Sequence, residues 1–395
     1  MRAERHIIIV GAGIAGLTAA LTLDRIGVGV TLLEQASALS EVGAGLQLSP
    51  NASRILIEQD IGQSFRTAAF YPDSIRVLST RSGGEVANLP LGAAFAARYG
   101  APYLVIHRAD LQASLVAAVT ARGSIDLRLG ITVTSVEQTD SGVTVRLASG
   151  ETFSGDALIG ADGVRSYVRT EVLGGAAPRY SGRLAYRATI PIEHTPEPLR
   201  SVTCVWMAPR AHLVHYPVKS GREFNLVAVA ESEWQSEGWS TPVARADVLK
   251  ALAPDTDEVW PEIPRGLLAT PTNWTKWALC AVDPRFTWTK GRITLVGDAA
   301  HAMLPFAAQG AAMAIEDAEV LAASLKRERD VATALKAYEA ARKPRVTAVV
   351  DLAAANGRIY HLGSVAAFAR DAALRYLPPL FALNRQDWVY AWRSS

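Results

Sequence analysis

Apolar and polar positions fall into three textures along the 395-residue chain. In the first, "HIIIV" (6–10) is a β-branched run, and "GAGIAG" (11–16) follows it. "LTAALTLDRIG" then has apolar residues at helical spacing, and "VGVTLLEQ" (28–35) is a second apolar run. Strand, glycine turn, helix and strand in this order open a parallel sheet. A helix is expected over 107–122, then alternating strands through 125–159, with 143–147, 151–153 and 157–161 as a meander returning to the sheet. From about 176 to 284 the texture changes. Runs such as "RLAYRATIPI", "SVTCVWMA", "HLVHYPV" and "FNLVAVAE" are separated by Gly, Pro and charged turns, which predicts an antiparallel sheet in a second lobe. "RITLVGDAAH" resumes the parallel-strand style, so the first lobe is discontinuous in sequence. Beyond 310 the spacing is helical until Pro378 and Pro379 break it, before an aromatic tail.

Composition narrows the class. With 40 Lys+Arg against 38 Asp+Glu and no block of like charge, nothing argues for nucleic acid. Cys204 and Cys280, the two cysteines, are far apart, which excludes a disulfide framework and a cysteine zinc site and suits a reducing cytoplasm. The basic and apolar start is too short and too glycine-broken for a signal peptide and reads as a buried first strand. No stretch reaches the roughly 20 apolar residues of a membrane span. The expectation is a soluble cytoplasmic protein.

Gly11, Gly13 and Gly16 follow a strand and open a helix. The first permits the tight turn, the second lets backbone approach a pyrophosphate, and the third allows close helix packing. Glu34 closes the next strand, where a carboxylate accepts from ribose hydroxyls. An adenine dinucleotide follows from this frame, with FAD and NAD both open. Asp298 and His301 invite a metal reading, but no third ligand stands nearby.

Two further strings extend the motif. "LIGADGVRSYVR" (158–169) and "LVGDAAHAMLPFAAQGAAMAIEDA" (295–318) resemble the Asp-Gly and Gly-Asp signatures of flavoprotein hydroxylases. With "GAGIAG", in that order and over nearly the whole chain, they resemble the class A FAD-dependent aromatic hydroxylases related to para-hydroxybenzoate hydroxylase, closest to the salicylate, 3-hydroxybenzoate and 6-hydroxynicotinate branch. The resemblance implies an α/β fold: a Rossmann-like FAD-binding domain (1–75, 100–175, 285–350), an inserted antiparallel β-sheet substrate domain (76–99, 176–284) and a C-terminal helical segment (351–395). It implies cofactor contacts from Gly11, Gly13, Ala15, Gly16, Glu34, Gln35, Gly45, Arg108, Asp162, Asp298, Gly310 and Ala311. Asp298 would hold the ribityl chain, and Asp162 would touch cofactor or brace its turn. The small residues around Gly310 let a helix start approach the flavin ring, where its N–H groups face negative charge on the reduced form.

On the substrate side, His212, Val214 and Tyr216 share one face of "HLVHYPV", and His215 points the other way. The resemblance places a histidine, a tyrosine and Cys204 in the aromatic pocket. His212 is the candidate base, because a histidine titrates near neutral pH, with a backbone-bonded strand histidine as the alternative reading. Tyr216 would orient substrate. Gln47 stands where the hydroxynicotinate relative has a histidine, which counts against a hydroxypyridine. Pro305 and Phe306 would cover the reactive face of the flavin, Gln309 would cap a helix, and Arg183 and Arg187 are candidates for holding a carboxylate. The implied reaction takes NADH or NADPH and O2 and hydroxylates a small phenolic ring through a flavin 4a-hydroperoxide, in a monomer or homodimer. A nonphenolic heterocycle or isoprenoid substrate is the alternative. The tail from 366 would pack on the core, close a dimer or touch membrane, in that order.

Overall fold

The computed structural model describes residues 5–39, 45–235, 238–253, 260–376 and 383–394; the break expected at Pro378 and Pro379 lies outside them. β1 (His6–Val10), β2 (Gly29–Leu33), β7 (Ile125–Arg128), β11 (Ala157–Gly160) and β18 (Ile293–Leu295) form a parallel sheet in the order β18-β11-β1-β2-β7. Ile7, Ile8 and Ile9 are fully buried, as a strand covered on both faces requires. The first helix (Ile14–Arg25) packs against the helix Gly310–Arg327, where Thr22 Oγ1 donates to Ala318 O at 3.1 Å. β8 (Val133–Gln138), β9 (Val143–Leu147) and β10 (Thr152–Gly155) form a meander as a separate sheet beside β1; two of its expected strands, 143–147 and 151–153, are in it, while the third, 157–161, is β11 of the parallel sheet.

The second lobe is an eight-stranded sheet. It contains β4 (Ser74–Ser79), β5 (Gly84–Pro90), β12 (Arg179–Pro191), β13 (Thr203–Ala208), β14 (Ala211–Val218), β15 (Glu223–Glu231), β16 (Ser240–Val243) and β17 (Trp274–Ala281). Their order is β16-β17-β12-β15-β14-β13-β4-β5, antiparallel throughout except where β13 runs parallel to β4. A small pair, β3 (Gly45–Leu48) with β6 (Leu104–His107), stands between the lobes. One face of the large sheet buries Trp206, Leu213 and Phe224 in its own core; the other turns His212, Val214 and Tyr216 toward the first lobe.

Two expected boundaries shift. The one at 75–76 falls inside β4, whose pairing begins at Ser74. The one at 350–351 falls inside a single helix, Val331–Tyr360, because buried positions at Val346, Val349 and Ala353 keep helical spacing across it. Pro344 lies within that helix without ending it. Among the described residues no helix is long and apolar enough to cross a membrane.

Candidate active site

A cavity of about 260 Å³ lies where the loops after β1, β11 and β18 meet the inner face of the large sheet. This is the crevice outside the carboxyl ends of parallel strands, where such sheets bind ligands. Backbone geometry makes it. Gly11 sits at φ +105°, and a Cβ there would come within 2.4 Å of Ala161 O. Gly297 sits at φ +60°, and a Cβ would strike the side chain of Ala15 at 2.8 Å. Both positions demand glycine. Gly16 is likewise a packing residue, since its Cβ would lie 1.9 Å from Gly11 O.

Gly13, by contrast, looks onto open space, with nothing within 4 Å of its Cβ position, and Gly310 would meet only Met303 at 4.0 Å. Gly13, Ala15, Gly310 and Ala311 all line the cavity, so two helix starts present bare backbone to it. Arg108, the first residue of the helix Arg108–Thr120, lines it too. So does Asp298, whose carboxylate is exposed at the turn after β18. Glu34 closes β2 with both oxygens engaged, accepting from Ala12 N and Ala36 N at 2.8 Å each. This fixes the carboxylate beside the glycine turn and leaves lone pairs for ribose hydroxyls. Bare helix starts, a cation and two placed carboxylates fit FAD.

Several expected residues stand elsewhere. Asp162 braces its own turn, accepting from Ser166 Oγ and Val168 N; burial raises its carboxyl and these bonds oppose the rise. Gln35 is exposed at the strand end. Gly45 lines the cavity, yet it is tight because the Tyr216 ring passes 2.4 Å from where its Cβ would be. Gln309 precedes the Gly310 helix without capping it by its side chain; its Nε2 donates to Ser49 Oγ at 2.8 Å and its Oε1 accepts from Asn51 Nδ2 at 3.0 Å.

On the sheet side, His212, Val214 and Tyr216 line the cavity together, with Arg187 beside them. Cys204 does not. It pairs with His215 across β13 and β14, so it shares the opposite face and packs with Trp206, its thiol pushed up to about 12 by burial. Phe306 is also turned away. Its ring sits against Gly357 of the long helix and edges His212 at 5.3 Å, while Met303, Pro305 and Ala308 are the residues of the loop 303–309 that reach the cavity. Phe306 instead borders a second cavity of about 530 Å³, mostly apolar, that shares His212, Gln47 and Pro305 with the first. Arg183 is engaged by Glu231 at 3.3 Å. Gln47 is fixed by Tyr103, whose hydroxyl donates to Oε1 at 2.5 Å, and it also bonds the Tyr216 hydroxyl, whose ionisation burial opposes.

His212 departs from the expected near-neutral titration. Its ring is buried, and burial, then His361, then Arg183 hold its pKa well below the ordinary histidine value. His361, which no motif marks, lies 2.8 Å away by Nε2 to Nδ1. The sequence also hides an ionic cluster behind the cavity. Arg342 donates to Glu316 Oε2 at 2.6 Å and Asp317 Oδ1 at 2.7 Å, and Arg345 donates to Glu316. Asp317 also accepts from Gly297 N at 2.9 Å and meets His301 Nε2 at 2.6 Å, so His301 is structural. Burial would raise the Asp317 carboxyl, but His301 and Arg342 outweigh it and hold it down at about 2.

The family model described as an FAD binding domain matches residues 4–353. The chain belongs to this family of FAD-dependent monooxygenases. The flavoprotein is 40% identical to 3-hydroxybenzoate 6-hydroxylase 1 of Aquipseudomonas alcaligenes, over 98% of each chain. It is 34% identical to 6-hydroxynicotinate 3-monooxygenase of Bordetella bronchiseptica, over 88% of this chain and 90% of that one. Its fold matches Klebsiella pneumoniae HpxO, solved with FAD and uric acid, with a TM-score of 0.84 and 26% identity over 98% and 96% of the two chains. The flavoprotein thus has the class A hydroxylase fold and an FAD-binding domain.

Proposed function

We propose that this flavoprotein hydroxylates a small phenolic acid, with 3-hydroxybenzoate as the first substrate to test. The supporting observation is that His212 and Tyr216, from one face of β14, stand in the same cavity as the Gly310 helix start and Pro305. A ring held between them would present its edge to the flavin. Bound FAD would supply the redox chemistry that couples NADH or NADPH and O2 to ring hydroxylation, with water as the second product. Asp298, Glu34 and Arg108 would hold the ribityl chain, ribose and phosphates, and the Gly310 helix start would face the flavin pyrimidine edge. Gln47 and Tyr216 would orient the substrate, Arg187 would meet its carboxylate, and His212 would meet its phenolic oxygen. Two free cysteines suit a cytoplasmic location, as a monomer or homodimer, with the lobes divided near 74, 100, 176 and 285.

The likeness to HpxO favours one second reading, a purine-like heterocycle in the same cavity. A panel of hydroxybenzoates, phenols, hydroxypyridines and uric acid decides between them. NADH oxidation is measured together with hydrogen peroxide release, so that coupled turnover is separated from leakage. The proposal expects coupled stimulation by 3-hydroxybenzoate. Coupled stimulation by uric acid alone would replace it with the second reading.

A further inference from the structure

Two of the buried histidines form a pair at the cavity wall. His212 Nδ1 and His361 Nε2 are 2.8 Å apart, and the rings tilt by 33° with centroids at 5.1 Å. His361 follows the last turn of the long helix Val331–Tyr360. Between two neutral imidazoles only one proton fits, so one ring donates and the other accepts. The outer nitrogens decide which. His361 Nδ1 is buried with no hydrogen-bond partner, whereas His212 lines the cavity and its Nε2 is not among the buried unpartnered atoms. A buried N–H without an acceptor is disfavoured more than a bare lone pair. His361 therefore keeps its proton on Nε2 and donates it to His212 Nδ1, and His212 carries its own proton on Nε2. His215 has no such choice, because Trp206 Nε1 donates to its Nε2 at 3.2 Å.

We propose that His361 is a positioning residue that fixes His212 as a hydrogen-bond donor into the cavity, so that a phenolic substrate is received as its phenolate. This rests on the phenolic reading above. A base would have to charge the pair, and its surroundings oppose that. Burial and then Arg183 from β12 hold His361 at about 4, against the weaker pull of Glu231 from β15. Tyr360, from the same helix end, is pushed up to about 12 by burial and stays neutral. Arg187 adds a cation to the cavity wall. The site is shaped for an anion and for a pair that stays uncharged.

The test uses the FAD-loaded enzyme without nicotinamide and 3-hydroxy-4-nitrobenzoate, whose phenolate absorbs in the visible, at a pH below its phenol pKa. Phenolate absorbance is followed together with proton release, read by an indicator dye in weak buffer. The proposal expects a phenolate band and a proton released to the medium for each molecule bound. A phenolate band without released proton would show that the pair keeps the proton, and would overturn it. Binding without a phenolate band would overturn it as well. An enzyme that binds neither this probe nor 3-hydroxybenzoate loses the phenolic reading, and the proposal with it.

Two variants complete the test, each checked for FAD content. His361→Gln retains an N–H that can reach His212 Nδ1 and should keep the phenolate band. His361→Met keeps bulk without a donor and should weaken phenolate binding by about tenfold or more, the loss of one hydrogen bond to a charged group. Equal affinity in the two variants would overturn the proposal.

Discussion

On β14 alternate residues lead separate chemical lives. His215 faces the sheet's own core, its ring tilted by 40° against Phe224 with centroids at 5.0 Å, and burial lowers it to about 3. Its unfolded value is about 6.5. Below that pH the unfolded chain takes up a proton that the folded chain refuses. The stability His215 carries is therefore complete above about pH 6.5 and is lost as pH falls toward 3, at up to about 1.36 kcal/mol per pH unit. Thermal melts at pH 7.5 and 5 should show a smaller fall for His215→Gln than for the natural protein; an equal fall in both would refute the assignment. The strand face of His212 and Tyr216 was legible in sequence, because alternation fixes it. That of Cys204 was not, since its face follows from the register of β13 on β14, and no residue on either strand announces that pairing.

The glycine-opened helices are the elements most fully written in the sequence, since small residues and positive φ leave few other folds. The Gly310 helix runs 18 residues with its start in the cavity. Gly310→Pro keeps helical φ at the first turn but removes one N–H aimed at the site. It should lower the reduction potential of bound FAD by ~20–40 mV, the two-electron equivalent of about 1–2 kcal/mol of helix-end stabilisation. An unchanged potential in a dye-equilibrated titration would show that the helix start does not face the ring. What held this helix in place was illegible. Glu316, Asp317, Arg342 and Arg345 look in sequence like ordinary charges on helix surfaces, and only the packing of the two helices brings them together, the first three fully buried and Arg345 at their rim.

At the scale of the molecule, that cluster ties the tail to the cofactor site. Arg345 donates to Trp388 O at 2.8 Å and Val389 O at 3.0 Å, and Arg54 donates to Trp392 O at 2.8 Å. Glu316 accepts from Asn51, which holds Gln309 just before the cavity helix. The tail therefore packs on the core, the first of its three expected placements. Removing residues 383–395 should lower Tm by roughly 5 °C or more, given a few kcal/mol of lost charged hydrogen bonds, and should speed FAD release. An undisturbed Tm with unchanged FAD retention would mean the tail is an ornament. The parallel sheet adds a consequence in time. Its neighbours β11 and β18 are separated in sequence by the strands β12 to β17 of the second lobe. During synthesis the nucleotide lobe must wait with an unpaired edge beside β11 until residue 295 leaves the ribosome, by which point every strand of the second lobe has already emerged, so the lobe that starts the chain is the last to close its sheet.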